Sequence, residues 1–409
     1  VIPESVNTVI VGAGQAGLAM SAHLKDQRID HIVLERDSIA ERWRNARWDS
    51  LVMNGPAWHD RFPAMEFEGW DPDAFPGKDD VTAYFERFAA QINAPIHCGV
   101  EVMHTQALAE GGFCVTTSQG TIRADHVVAA TGPFQIPVIP PIIPDGLITQ
   151  IHSFDYHNSE QLEDGAVLVV GAGSSGAQIA DELLRSGRKT YLSIGPHDRP
   201  PRSYRGKDFV WWLGVLGKWQ MKTPPTGKEH VTIAVSGAYG GKTVDFRKFA
   251  DRGMVLLGMT SSYQDGHLTI ADDLAQNIAD GDASYLALLA EADAYVEANG
   301  LDLPLEDNAK IIGADPNCLI NPIETLDLNA LGINSIIWAT GYVQDFSWLK
   351  VDAFDDKGKP KHNRGVAAQD GIYFLGLPWL SMRGSSFIWG VWEDAKHLAS
   401  HIADRSATR

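Results

Sequence analysis

Cysteine is scarce in this chain. The three present, Cys98, Cys114 and Cys318, form no C-x-x-C pair and leave an odd count in 409 residues. That excludes a disulfide framework and a dithiol close in sequence, and it suits a reducing, cytoplasmic compartment. No apolar run approaches the length of a membrane span, and the first residues lack the basic and hydrophobic sections of a signal peptide, so no membrane partner is expected. Basic residues are in deficit too: 34 Lys and Arg against 52 Asp and Glu leave a net charge of −18. Such a balance argues against nucleic acid or an anionic membrane as a general partner. With 44% hydrophobic and 21% charged residues, the composition is that of a globular protein with room for two or three domains.

What the chain does have is one glycine-rich turn twice over. The first is Gly12-Ala-Gly14-Gln-Ala-Gly17 after the β-branched run Thr8-Val-Ile-Val11, and it continues into a helical stretch with small residues on one face. Each glycine serves a separate need in this context. Gly12 permits the tight turn, Gly14 lets backbone N–H groups approach a pyrophosphate, and Gly17 lets helix and strand pack closely. The helix N-terminus then turns its positive end toward the phosphates. A second strand, His31-Ile-Val-Leu34, ends in Glu35, 18 residues beyond Gly17. A carboxylate there accepts hydrogen bonds from an unmodified ribose diol, which fits FAD or NAD.

The second turn, Gly171-Ala-Gly173-Ser174-Ser175-Gly176, follows Val-Leu-Val-Val170. Its matching strand, Lys189-Thr-Tyr-Leu192, ends at Ser193 without a carboxylate, and Arg199, Arg202, Arg205 and Lys207 follow closely. Hydroxyl and guanidinium groups would accept a 2′-phosphate that a carboxylate repels. The first site is therefore read as FAD and the second as NADPH, with Ser193, Arg202 and Arg205 as phosphate readers; a solvated basic loop is the alternative.

The expected fold is α/β, with two Rossmann-like dinucleotide-binding domains. Residues 1–155 and 326–409 would form the FAD-binding domain, and residues 156–325 an inserted NADPH-binding domain. Two strands ending in Ala-Thr-Gly, at Thr131-Gly132 and Thr340-Gly341, mark places where chain crosses between domains beside a cofactor. The proline-dense stretch from Pro137 to Pro144 suits a hinge. A helix is expected over Ala283 to Asn299. The C-terminal segment should return to the first domain, either turning a helix N-terminus near Ser386 to Trp389 toward a flavin or simply closing the sheet edge.

Taken in order, these motifs resemble the class B flavin-dependent monooxygenases, which include bacterial flavin-containing monooxygenases, YUCCA-type enzymes and Baeyer–Villiger monooxygenases. The similarity spans nearly the whole chain, adding Trp43-x-x-x-x-Trp48-x-x-Leu51, Phe75-Pro-Gly-Lys78, and His152-Ser-x-x-Tyr156 to the turns above. It departs at the family's identifying Phe and Gly slots, which hold Gly146 and Ile148. The resemblance implies an FAD enzyme that takes hydride from NADPH, forms a C4a-(hydro)peroxyflavin with O2, and passes one oxygen atom to a small organic substrate. Oxygenation of an amine nitrogen or a sulfide is favoured. Baeyer–Villiger oxygenation of a ketone, oxidative decarboxylation of a 2-oxo acid, and flavin reduction without oxygen insertion remain alternatives.

Met53-Asn54-Gly55-Pro56 resembles the family segment whose asparagine lies beside flavin C4a, which makes Asn54 the candidate hydrogen-bond donor there; an ordinary Asn-Gly turn is the competing explanation. His152 is placed by the resemblance near the domain hinge, as a residue that organises NADPH binding or as a satisfied structural histidine. Trp43 joins the FAD-contacting set, and Trp58, Trp211, Trp212, Trp379, Trp389 and Trp392 are available as aromatic walls. No metal site is expected, and a homodimer stays open.

Overall fold

A computed structural model describes residues 2–222 and 232–407. The strand Ser5–Val11 runs through the centre of the first sheet, paired in parallel with His31–Glu35 on one side and Gly120–Ala129 on the other. Covered on both faces, its Val9 and Ile10 are fully buried, which explains a continuous β-branched run in place of alternation. Each such side chain contributes about 1.5–3 kcal/mol by leaving water. Beyond Gly120–Ala129 the sheet continues antiparallel through Phe113–Thr117 and Val102–Ala107.

The second sheet is wholly parallel, in the order Val255–Leu257, Thr190–Ser193, Ala166–Val170, Ile333–Trp338, Thr149–His152. This moves the domain boundaries expected at 155 and 326. The strands Thr149–His152 and Ile333–Trp338 both belong to the second sheet, because Ile333–Trp338 fits between Ala166–Val170 and Thr149–His152 as a central strand with Ile336 and Ile337 fully buried. The crossings lie further out, where Ile136–Pro137 and Tyr342–Val343 pair antiparallel. The two Ala-Thr-Gly turns immediately flank that pair.

The C-terminal segment does return to the first sheet: Ile372–Phe374 pairs in parallel with Gly120–Ala129, and the helix Val391–Ala407 packs on Gln15–Asp26. Arg383–Ser386 is a short 3-10 turn and the helix proper begins at Val391, slightly later than expected. The long helix of the second domain starts at Leu274, well before Ala283. Gly281 masks that start in the sequence, since glycine disfavours helix interiors. Packing demands it, because a Cβ there would lie 2.5 Å from His197 Nε2.

Among the described residues no helix is long and apolar enough to cross a membrane. Burial pushes His23, His31, His152 and His197 below the ordinary imidazole value. The unfolded chain therefore takes up protons at higher pH than the native one, and the stability held in these four neutral rings is complete above about pH 6.5 and is lost as pH falls through their native values. A thermal midpoint that holds between pH 7.5 and about 6.5 and drops progressively as pH falls further is expected; a midpoint that stays flat below about pH 6.5 would contradict it.

Candidate functional site

The two glycine turns adopt one geometry. Gly12 and Gly171 both have φ +109°, and a Cβ on either would lie 2.6 and 2.5 Å from the carbonyl oxygens of Ala130 and Ala339, the alanines of the two Ala-Thr-Gly turns. Gly17 and Gly176 press on the turn itself, with Cβ positions 1.9 and 1.8 Å from the oxygens of Gly12 and Gly171. Side chains at these four positions would push helix and strand apart.

Around the first turn the space is open: nothing lies within 4 Å of a Cβ at Gly14, the residue before the helix Gln15–Asp26. Glu35 ends its strand directly below, one oxygen accepting from Ala13 N at 2.8 Å and the other from Asp37 N at 3.0 Å. Trp43 Nε1 approaches Gln15 Oε1 at 3.4 Å, and Gln15 Nε2 donates to Ser386 O at 2.9 Å, tying the C-terminal segment to this turn. Gln135 donates to Thr131 Oγ1 at 3.0 Å and to Gly132 O at 2.7 Å. Thus Gly12, Gly14, Gly17, Glu35, Trp43, Thr131 and Gly132 come together, and the open Gly14 with an acidic strand end fits an FAD pyrophosphate and ribose.

The second turn is less open. A Cβ on Gly173 would meet Thr232 Cγ2 at 3.1 Å, and Ser174 Oγ, at the start of the helix Ser174–Arg185 with Ser175, donates to Ile233 O at 2.8 Å. Thr340 and Gly341 sit beside it, with Thr340 Oγ1 donating to Val138 O across the paired crossings. The expected phosphate readers are corrected here. Ser193 Oγ donates to Gly258 O at 2.9 Å and lies beside Thr260 N at 3.1 Å, wholly buried. Arg205 pairs with Asp293 at 3.0 Å and donates to Leu303 O and Pro304 O. Arg202 pairs with Asp208 at 2.5 Å. Arg199 pairs with Asp282 at 2.7 Å. All three guanidinium groups are buried inside internal ion pairs, so they form neither a phosphate cradle nor a solvated loop.

Arg202 instead fastens the two domains. Its Nη1 donates to the backbone oxygen of Asn54 at 2.5 Å, and its guanidinium lies over Phe75 and Phe209. The Asn54 side chain is held as well, its Oδ1 accepting from Gln178 Nε2 at 2.7 Å. Gln178 Nε2 also donates to Val235 O at 3.0 Å. A backbone carbonyl can only accept, so the Gln178 orientation is settled, and Asn54 is left presenting Nδ2 as a donor. Among the described residues Gln178 Oε1 is a buried acceptor without a partner. Sequence reasoning missed Gln178, although its place two residues past Gly176 on the same helix was the available signal.

His152 lies at the crossing between the two sheets, held by backbone on both sides. Its Nδ1 accepts from Phe154 N at 3.0 Å, and Nε2 lies 3.0 Å from Gly341 O, so the neutral ring spans the crossing with both nitrogens satisfied by backbone. Its burial, against a weaker opposing pull from the Gly341 carbonyl, keeps it neutral. No nitrogen is left for a substrate, which removes it from the catalytic set.

Comparisons with known proteins agree with this architecture. A family model described as pyridine nucleotide-disulphide oxidoreductase matches residues 9–210. An uncharacterized CzcO-like oxidoreductase of Geobacillus kaustophilus is 35% identical over 97% of this chain and 98% of its own length. A probable indole-3-pyruvate monooxygenase of Arabidopsis thaliana, YUCCA3, is 27% identical over 97% of this chain and 86% of its own. Among solved structures, the flavin-containing monooxygenase from Stenotrophomonas maltophilia superposes with a TM-score of 0.68 at 18% identity, covering 99% of this chain and 100% of that one.

Burial pushes Asp208 up and Arg202 down from their ordinary values, so each depends on the other to stay charged. Removing one partner of such a pair costs about 3–5 kcal/mol. Arg202→Ala should therefore lower the thermal midpoint and raise the Michaelis constants for NADPH and NADH alike; a rise confined to NADPH would restore the phosphate-reading role.

Proposed function

We propose that this chain, which belongs to the CzcO-like oxidoreductases, is a class B flavin-dependent monooxygenase that contains FAD and uses NADPH. It would insert one oxygen atom of O2 into a small organic substrate, with amine or sulfide oxygenation favoured. FAD, when bound, supplies the redox chemistry: it accepts the hydride and activates O2. The choice of NADPH rests on the family resemblance and no longer on Ser193, Arg202 or Arg205.

The remaining site residues divide between the two nucleotides. Gly12, Gly14, Gly17, Glu35, Trp43, Thr131 and Gly132 hold FAD, through backbone N–H groups toward the pyrophosphate and the Glu35 carboxylate toward the ribose. Gly171, Gly173, Ser174, Ser175, Gly176, Thr340 and Gly341 hold the nicotinamide dinucleotide. The observation that carries the proposal is Asn54, which sits where the two domains meet with its oxygen held and its Nδ2 free. A fixed neutral donor aimed at developing oxygen charge stabilises it without the reorganisation that water would need. It also leaves the delivered oxygen electrophilic, which suits nitrogen and sulfur. A disulfide-reducing activity, which the family model's description suggests, lacks its thiol pair: Cys98, Cys114 and Cys318 are all free.

Loss of one such donor costs on the order of a hundredfold in rate. Asn54→Ala should keep NADPH oxidation while diverting it from product to hydrogen peroxide, and Gln178→Leu should do the same to a smaller degree. Product formation that stays fully coupled to NADPH oxidation in Asn54→Ala would remove Asn54 from the role.

A further inference from the structure

Five residues past Asn54 stand a histidine and an aspartate in succession, and the fold turns them on one another. Asp60 is held at both oxygens: Oδ2 accepts from Gly55 N at 3.0 Å and Oδ1 faces His59 Nδ1 at 2.6 Å. A Cβ on Gly55 would lie 2.6 Å from that carboxylate, so glycine is what allows it to close on the Asn54 turn. A carboxylate can only accept, which puts the proton of the neutral imidazole on Nδ1 and a lone pair on Nε2. Among the described residues nothing hydrogen-bonds to Nε2. Holding the turn requires Asp60 alone; an imidazole with a free nitrogen adds nothing to that.

The surroundings are aromatic and largely closed to solvent. The imidazole is walled by Trp58, Trp219 and Trp389, with ring centroids 5.3, 5.5 and 5.4 Å away. The side chains of His59 and Asp60 are only 11% and 15% exposed. Among the described residues Trp389 Nε1 is a buried donor without a partner. Trp389 follows the segment that Gln15 ties to the first glycine turn, whereas Trp219 belongs to a cluster of the second domain with Phe209, Val210 and Leu213, so the imidazole lies at the junction of the two. Nearby charges are the Arg202–Asp208 pair, Arg61 with its partner Glu66, and Arg383, whose guanidinium lies 5.9 Å from the Trp219 ring.

We infer that His59, positioned by Asp60, is the base that removes a proton from the substrate, and that this substrate is a protonated amine. The inference rests on the monooxygenase proposal. An alkyl ammonium holds its lone pair in an N–H bond and forms no N–O bond until that proton leaves; a thioether or a ketone has no proton to lose. Nε2 takes the proton, the freed nitrogen forms the N–O bond, and the O–O bond breaks. Two electrons come from nitrogen and two from NADPH. The shed proton and the hydride both end in the water, so that R3NH+ + O2 + NADPH gives R3NO + H2O + NADP+.

The test uses the FAD-loaded enzyme and a shape-matched pair, N,N-dimethylbenzylamine and benzyl methyl sulfide. With 15N-labelled histidine, saturating amine should move the His59 Nε2 resonance as its N–H donates to that nitrogen; the sulfide should not, and Asp60→Asn should abolish the response. In turnover, His59→Gln should lower kcat/KM for the amine by about 10²–10⁴-fold, the range of general base catalysis, and for the sulfide at least tenfold less. An Nε2 resonance unmoved by the amine, or equal losses on both substrates, overturns the assignment. If Nε2 responds while the wild-type enzyme oxygenates neither compound, the base stands and the monooxygenase proposal falls.

Discussion

Backbone packs directly on backbone at both glycine turns: a Cβ on Gly17 would lie 1.9 Å from the carbonyl oxygen of Gly12, and one on Gly176 1.8 Å from that of Gly171. Each brings a helix start onto the end of a central strand, and most of what matters here follows from that approach. It fixes where backbone N–H groups point, and it leaves room for one more turn beneath, which Ala130 and Ala339 fill with their carbonyls. Those alanines open the two segments by which chain passes from one domain to the other. Nucleotide geometry and domain connection are thus parts of one packing solution, used twice.

The same constraint explains what was legible in the sequence. Glycine spacing, the buried β-branched strands, Glu35 and the Ala-Thr-Gly turns are local signals, and all of them appear where local physics places them. Most of the misreadings concern partners far along the chain; Arg202 is the exception, its partner Asp208 standing six residues on. Arg202, Arg205 and Ser193 looked like a phosphate cradle because their own neighbourhood is basic. Asp293 lies 88 residues beyond Arg205, and the contact of Asn54 with Gln178 spans 124. Nothing in the sequence around Arg205 shows that its guanidinium will meet Asp293. The strand Ile333–Trp338 was misplaced for a related reason, since a parallel strand carries no mark of the sheet it joins.

A buried ion pair at a domain junction is an expensive choice, as both groups give up water for a single partner. Arg202 offsets part of that cost by serving several elements at once: it touches the Asn54 turn, Asp208, Ser236 O and two aromatic faces. Ion pair and aromatic contacts together hold the Asn54 backbone, while the Gln178 amide holds its side chain. A turn that would flex in isolation therefore becomes rigid at the point where the two domains meet.

The paired crossings Ile136–Pro137 and Tyr342–Val343 make the second domain an insertion whose two ends lie side by side. During synthesis that domain is complete while the first still lacks Ile372–Phe374 and Val391–Ala407. Gly120–Ala129 then waits with an unfilled edge, and Gln15–Asp26 waits with an uncovered apolar face. The part of the chain made first is the last to close, so the nascent protein must keep an open sheet from pairing elsewhere until its final helix emerges.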